Sequence, residues 1–130
     1  VTTDVANPVL VDFSGRQLHG APRWTLSYGA DYNYFLGAGY RAHFLVNNAY
    51  RAGTYLGATQ AASTYQEAYN ITDGGVGIGS ASDKWELSLI ARNVFDTYYR
   101  TGAGSYSSSG AITEQPGYGR TFGIAFRAKL

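Results

Sequence analysis

Apolar and polar residues alternate one by one over long stretches of this chain. Between residues 23 and 36 every second residue is apolar, from Trp24 to Leu36, and most of the residues between them are polar. Because successive side chains of a strand point to opposite faces, this pattern predicts a β-strand with one apolar and one polar face. The stretch is about twice as long as the usual soluble strand of about 5–6 residues. It is long enough for a tilted strand that crosses a bilayer, which needs about 9–11 residues.

Similar alternation recurs in four further stretches of the chain and predicts an all-β fold, an antiparallel meander of long amphipathic transmembrane strands. A short glycine-containing connection at residues 36–39 predicts a hairpin between the first two strands. In the third strand Tyr69 and Ile71 differ in parity from Val76 and Ile78, so we expect a bulge at the glycine pair 74–75. The Gly/Ser-rich residues 101–116 predict a loop. The predicted strands span about residues 23–36, 39–51, 68–80, 84–98 and 119–130, and the predicted external loops about residues 1–22, 52–67 and 100–118.

The two faces of the predicted sheet carry different candidate residues. Aromatic residues collect towards the ends of the apolar band, as water–lipid interfaces select. The predicted membrane girdle is Trp24, Tyr32, Tyr34, Tyr40, Tyr50 and Trp85. Polar residues of the other face are expected to line a barrel lumen, and they are Arg41, His43, Asn47 and Arg92. The candidates for ligand contact near the external side are Arg51, Tyr55, Asn93, Asp96 and Tyr106.

Composition limits the chemistry that the chain can perform. A length of 130 residues argues against a multidomain enzyme, and the absence of Cys removes disulfides, thiolate catalysis and Cys-based zinc sites. His19 and His43 have no acidic pair beside them, and the glycines of residues 74–80 lack the phosphate-loop pattern. The formal charge of +1 gives no argument for nucleic acid binding. We therefore expect no catalytic residues, no metal and no cofactor; without a Met, we also expect a processed chain or a piece of a longer one.

Three short motifs occur in a fixed order. Gly20-Ala21-Pro22-Arg23 leads into the first long strand, Asn93-Val-Phe-Asp96-Thr-Tyr98 forms the end of the predicted fourth strand, and Gly117-Tyr-Gly-Arg120 leads into the last. In these motifs, residues 15–130 resemble the C-terminal end of a TonB-dependent outer-membrane receptor. The resemblance implies the last five or six strands of a 22-stranded barrel closed around an N-terminal plug. It also implies uptake of a scarce ligand such as an iron–siderophore complex, cobalamin or an oligosaccharide.

The resemblance and the spacing of the strands together predict the surroundings of the chain. Short connections at residues 36–39 and 80–84 indicate the periplasmic side of a Gram-negative outer membrane, where the C-terminus would also lie. The expected partners are the rest of the barrel, the plug, outer-membrane lipid and, through the missing N-terminal part, the TonB system, but not nucleic acid. Five strands leave two open edges, so the isolated chain should self-associate. The alternatives are a soluble all-β binding or adhesion module, and a small outer-membrane barrel closed by self-association.

Overall fold

A computed structural model of the chain describes residue 12, residues 14–105 and residues 111–129. In this part the chain forms strands joined by turns, with one 3-10 turn at Ala62–Thr64. The strands are β1 (Thr25–Gly37), β2 (Tyr40–Arg51), β3 (Thr54–Tyr55), β4 (Tyr65–Gln66), β5 (Tyr69–Ser80), β6 (Trp85–Arg92), β7 (Arg100–Ser105), β8 (Ile112–Pro116) and β9 (Thr121–Ala128). The described residues include no helix long and apolar enough to cross a membrane.

Five of these strands form one antiparallel sheet in the order β1-β2-β5-β6-β9. The longest are β1 with 13 residues and β2 and β5 with 12 each. The expected all-β fold and antiparallel sheet are therefore confirmed. At a rise of about 3.4 Å per residue, a strand of this length extends about 40 Å, which at a tilt of about 45° spans roughly 28 Å.

Two shorter hairpins lie inside the segments predicted as external loops. Strands β3 and β4 pair within residues 52–67, and β7 pairs with β8 within residues 100–118. The prediction of a loop throughout residues 101–116 is wrong at its two ends. Glycine and serine there gave a low-complexity pattern without apolar alternation. In the structure Gly102 lies in β7 opposite Gln115, and Gly104 lies opposite Thr113. The pairing of these two strands is therefore made by the backbone and does not need an apolar side-chain pattern.

The expected bulge at Gly74 and Gly75 is also wrong. Strands β2 and β5 pair residue by residue from Tyr40 opposite Ser80 to Arg51 opposite Tyr69, without a shift. The change of parity in the sequence therefore means that Tyr69 and Ile71 lie on the polar face. The shift of register occurs instead between Phe35 and Gly37. It adjoins the turn at residues 37–39, where Gly37 and Gly39 both have φ of +80°, a conformation that glycine adopts without strain.

Several predicted strand ends differ from the observed ones. The fourth strand was expected to reach residue 98, but β6 ends at Arg92. The next residue, Asn93, has φ of +48° and turns the chain out of the sheet. This left-handed conformation is one that asparagine adopts more readily than most residues. The first strand begins at Thr25 and the last begins at Thr121, each two residues later than predicted.

The sheet has one apolar and one polar face but no apolar core. Adjacent strands bring residues of one face into rows, such as the row that runs from Tyr32 through Phe44, Val76 and Leu89 to Ile124. Within the described residues no hydrophobic side chain is buried. The buried side chains there are polar and belong to Thr54, Thr64, Gln66 and Asn93. This distribution is the reverse of the one that a soluble globular protein adopts.

Candidate functional site

The aromatic residues of the apolar face lie mostly near its two ends. Near the short turns, the rings of Tyr40 and Trp85 meet edge to face with centroids 6.3 Å apart. At the opposite end Tyr50 is near the end of β2, and Ala52 donates a backbone hydrogen bond to the carbonyl of Trp24. Of the other two predicted girdle residues, Tyr34 lies opposite Ala42 towards the turn, whereas Tyr32 lies opposite Phe44, midway along both strands. Tyr32 is therefore not at an end of the band.

The four residues predicted to line a lumen share the polar face. Arg41, His43 and Asn47 alternate along β2, and Arg92 occupies the same face at the end of β6. Strand β5 lies between β2 and β6 and presents glycine at three successive positions of this face, which are Gly75, Gly77 and Gly79. Side chains from β2 and β6 can therefore meet above the backbone of β5.

Near the short turns the polar face carries a network of charged side chains. We call the set of Arg41, His43, Asp83, Glu86, Arg127 and Lys129 the turn-end charge network. The guanidinium Nη2 of Arg41 lies 3.0 Å from an oxygen of Asp83 and 2.8 Å from an oxygen of Glu86. Arg127 contacts the same two carboxylates at 3.0 and 3.5 Å. The network joins β2, β6, β9 and the turn before β6, because each carboxylate accepts from more than one strand.

Asp83 is the carboxylate of this network that lies in the turn before β6. Lys129 donates to it at 2.6 Å, and Arg127 and Arg41 add further positive charge. The hydrogen bond from Lys129, together with its charge, lowers the pKa of Asp83 below the ordinary value of 3.8. The backbone φ of Asp83 is +60°, which an aspartate tolerates in a tight turn. The carboxylate is thus ionised and linked to the last described residue of the chain.

Asn93 organises the turn that follows β6. Its amide nitrogen donates to the carbonyls of Thr97 and Tyr118 at 2.9 and 3.1 Å, and its amide oxygen accepts from the N–H of Thr97 at 2.9 Å. Its own N–H donates to Asp73 at 2.9 Å. Asn93 is 3 % exposed, and these partners satisfy its side chain. The motif that begins at Asn93 therefore has a structural role in this turn.

Asp96 fixes the same turn to the segment before β9. Its carboxylate accepts a hydrogen bond from the backbone N–H of Arg120 at 2.8 Å. Asp96 thereby links the second and third sequence motifs in space. The predicted role of Asn93 and Asp96 in ligand contact stays a prediction, and the contacts described here are to other parts of the chain.

At the end of the sheet opposite the short turns, the loop segments border an open cleft of about 650 Å³. We call it the tyrosine cleft, and its walls include Tyr65, Glu67, Asn70, Tyr98, Arg100 and Glu114. Arg100 lies between β4 and β8: its Nη1 is 2.6 Å from Glu114, and its backbone N–H donates to Gln66 at 2.9 Å. It also donates to the carbonyls of Ser63 and Tyr65. Arg100 thus holds the two small hairpins together.

The predicted ligand-facing residues do not meet at one point. Arg51 ends β2 opposite Thr25 and Tyr69, and the ring of Tyr55 packs edge to face on Tyr65 at 5.0 Å. Tyr106 lies outside the described residues. The residues of the tyrosine cleft were not among the candidates, although the tyrosines at 65, 69 and 98 mark it in the sequence. These cleft residues come close together because β5 pairs with its neighbouring strands. The pattern of residues along the sequence does not show this pairing.

The described part of the chain contains no group of three or more His, Asp or Glu side chains that could hold a metal ion. Comparison of the chain with protein-family models, with curated proteins and with solved structures finds no match. The interpretation of its function therefore depends on the geometry of the sheet and on the residues of its two faces.

Proposed function

We propose that the chain is a wall segment of an outer-membrane β-barrel, at the C-terminal end of a receptor of the TonB-dependent type. The observation that carries this proposal is the reversed burial. The side chains of the apolar face are exposed, for example Phe126 at 67 % and Ile124 at 77 %, and the described hydrophobic residues include none that is buried. A bilayer would remove such a face from water, and the opposite polar face would then line a lumen.

In this proposal the 22 strands of the complete barrel include the five long strands of this chain. The rest of the barrel supplies partners for the outer edges of β1 and β9, and the plug contacts the polar face. The short turns and the C-terminus lie on the periplasmic side of a Gram-negative outer membrane, and the β3-β4 and β7-β8 hairpins lie outside. The role is structural and concerns uptake of a scarce ligand, such as an iron–siderophore complex, cobalamin or an oligosaccharide, and it involves no catalysis.

Depth-dependent quenching of tryptophan fluorescence tests the proposal. The chain has two tryptophans, so Trp24→Phe and Trp85→Phe each leave one reporter. In bilayers with bromine at defined acyl carbons, we expect both reporters to be quenched most by the shallow bromines, because both lie towards the ends of the apolar band. Absence of quenching, together with a monomeric chain in detergent-free buffer, would overturn the proposal in favour of a soluble module. Strongest quenching at the midplane would overturn the assignment of the strand ends.

Cysteine labelling tests the orientation, because the natural chain contains no cysteine. Ser82→Cys lies in the turn between β5 and β6, and Ser63→Cys lies in the 3-10 turn between β3 and β4. Both positions are exposed. When the chain is exported within its complete receptor, we expect a membrane-impermeant maleimide to label Ser63→Cys in intact cells. It should label Ser82→Cys only after the outer membrane is permeabilised, and the opposite result would reverse the orientation.

A further inference from the structure

The tyrosine cleft has walls that suit a ligand with both apolar faces and hydroxyl groups. Tyr98 is 68 % exposed and Tyr65 is 41 % exposed, so parts of both rings are free for a ligand. Asn70, Glu67 and Glu114 lie among these rings and can accept hydrogen bonds. The volume of about 650 Å³ falls within the range of about 300–1,000 Å³ that small-molecule sites occupy.

The charges of the cleft disfavour an anionic ligand. Its wall contains one cation, Arg100, and two carboxylates, Glu67 and Glu114. The guanidinium of Arg100 is already engaged by Glu114, by Gln66 and by two backbone carbonyls. Among the described residues no basic side chain pairs with Glu67, which is exposed. The charges of the cleft therefore favour neutral hydrogen-bond donors, such as hydroxyl groups, over phosphates or carboxylates.

Neighbouring rings hold two of the three tyrosine side chains of the cleft wall, Tyr69 and Tyr65, in place. Tyr69 is stacked on Tyr99 with centroids 4.8 Å apart and an interplanar angle of 19°. Tyr65 is held edge to face by Tyr55. A ring that is already fixed loses little conformational entropy when a ligand stacks on it, which favours binding. Sugar rings present C–H groups on one face and hydroxyl groups at the rim, and both match this arrangement.

We propose that the tyrosine cleft binds an uncharged oligosaccharide. The inference rests on the proposed function, because the proposed function places the cleft on the external side of the membrane. The inference narrows the ligands proposed for that receptor to one class. Aromatic rings would contact the sugar faces, and Glu67, Asn70 and Glu114 would accept hydrogen bonds from hydroxyl groups. An anionic siderophore complex would meet the excess negative charge of the two carboxylates.

Calorimetric titration of the chain in detergent micelles tests this inference, after a screen on an array of uncharged glycans of four to eight sugar units. We expect at least one uncharged glycan to bind, with about tenfold weaker affinity for Tyr98→Ala and for Glu67→Gln. Tyr118→Ala is the control, because Tyr118 is 88 % exposed and lies outside the cleft. It should bind as the natural chain does. The inference is overturned if no uncharged glycan binds, or if Tyr98→Ala and Tyr118→Ala bind equally well.

The failure of this inference can be told apart from the failure of the proposed function. A chain that passes the quenching test with Trp24 and Trp85 but binds no uncharged glycan would overturn only the oligosaccharide inference. A chain that binds glycan but is not quenched by brominated lipid, and is monomeric in detergent-free buffer, would overturn the barrel proposal. Tyr98→Ala and Glu67→Gln change neither tryptophan, so both measurements can be made on the same variants.

Discussion

Arg41 donates a hydrogen bond to Glu86 across an intervening strand, with 2.8 Å between Nη2 and Oε2. The residue between them is Gly79 of β5, which is paired with Arg41 on one side and with Glu86 on the other. Because Gly79 has no side chain, the guanidinium reaches over the backbone of β5. An ion pair between strands that are not neighbours thus depends on a glycine between them.

Substitution of Gly79 should destabilise the sheet. A Cβ atom at this position would lie 2.5 Å from the carbonyl oxygen of Trp85 and 3.1 Å from Cα of Glu86, so the backbone must shift. We expect Gly79→Val to lower the free energy of unfolding by about 1–3 kcal/mol, the usual cost of overpacking. Urea unfolding in detergent micelles, followed by tryptophan fluorescence, measures this change.

Gly123→Val is the matched control for that experiment. Gly123 lies on the polar face of β9, and a Cβ there would meet no atom within 4 Å. We expect the free energy of unfolding of this variant to lie within about 0.5 kcal/mol of that of the natural chain. Equal unfolding midpoints for the two valine variants would contradict the role given to Gly79.

The contribution of Asp83 to the free energy of unfolding should be lost as the pH becomes acidic. Its pKa in the folded chain is lowered below 3.8 by Lys129. The contribution is therefore complete above about pH 3.8 and is lost as the pH falls through the folded pKa. Asp83→Asn removes the charge but keeps a residue that tolerates the φ of +60°.

Unfolding midpoints of the natural chain and of Asp83→Asn, measured from about pH 2 to pH 7, check this prediction. The difference between them should be constant from pH 5 upwards and should shrink below about pH 3.8. It should also be smaller in about 1 M salt, where the Debye length is only about 3 Å. A difference that grows as the pH falls would have the wrong sign.

Removal of the side chain of Asn93 should destabilise the turn after β6. Asn93→Ala leaves the carbonyls of Thr97 and Tyr118 and the N–H of Thr97 without this partner, and it places an alanine at φ of +48°. We expect the free energy of unfolding of Asn93→Ala to be lower than that of the natural chain by about 2–4 kcal/mol. Asn93→Gly loses the same hydrogen bonds without the backbone strain, so it should be about 1 kcal/mol less destabilised than Asn93→Ala. Urea unfolding measures the free energy of unfolding of the natural chain and of the two variants. If Asn93→Ala were as stable as the natural chain, the structural role given to Asn93 would be wrong.

The chain should self-associate in buffer without detergent. In the described residues the outer edges of β1 and β9 have no paired strand, and the apolar face is exposed. We expect analytical ultracentrifugation to show oligomers that disperse in micelles. Ile124→Glu places a charge on the apolar face of β9 and should reduce association more than Ala125→Glu, which places it on the polar face. A stable monomer of the natural chain would contradict the prediction.

Periodicity predicted the main sheet well because the sheet is amphipathic over its whole length. The even positions from Leu26 to Tyr34 and the odd positions from Trp85 to Ala91 share one face, as their alternation indicates. Periodicity failed where pairing depends on the backbone and not on side chains. Strand β7 and the glycine positions of β5 have few side chains to show a pattern. The tyrosine cleft was not predictable, because β5, β7 and β8 bring its residues together over long separations in the sequence.

The roles of the motif residues were partly hidden for a different reason. Asn93 and Asp96 are polar residues beside a predicted external loop, and a linear sequence does not distinguish a ligand contact from a turn contact. Both positions have positive φ, at +48° and +53°. Apart from glycine, Asn and Asp are among the residues most often found in that conformation, so backbone geometry accounts for their presence in the motif.

The burial of polar and not apolar side chains has a consequence for the thermodynamics of the chain. The large heat-capacity change of protein unfolding comes from apolar surface that becomes exposed to water. In the described residues the hydrophobic side chains of the sheet face the surroundings and not an apolar core, so unfolding within lipid or detergent exposes little of them to water. The stability of this sheet should therefore vary almost linearly with temperature, without the curvature that leads soluble domains towards cold denaturation.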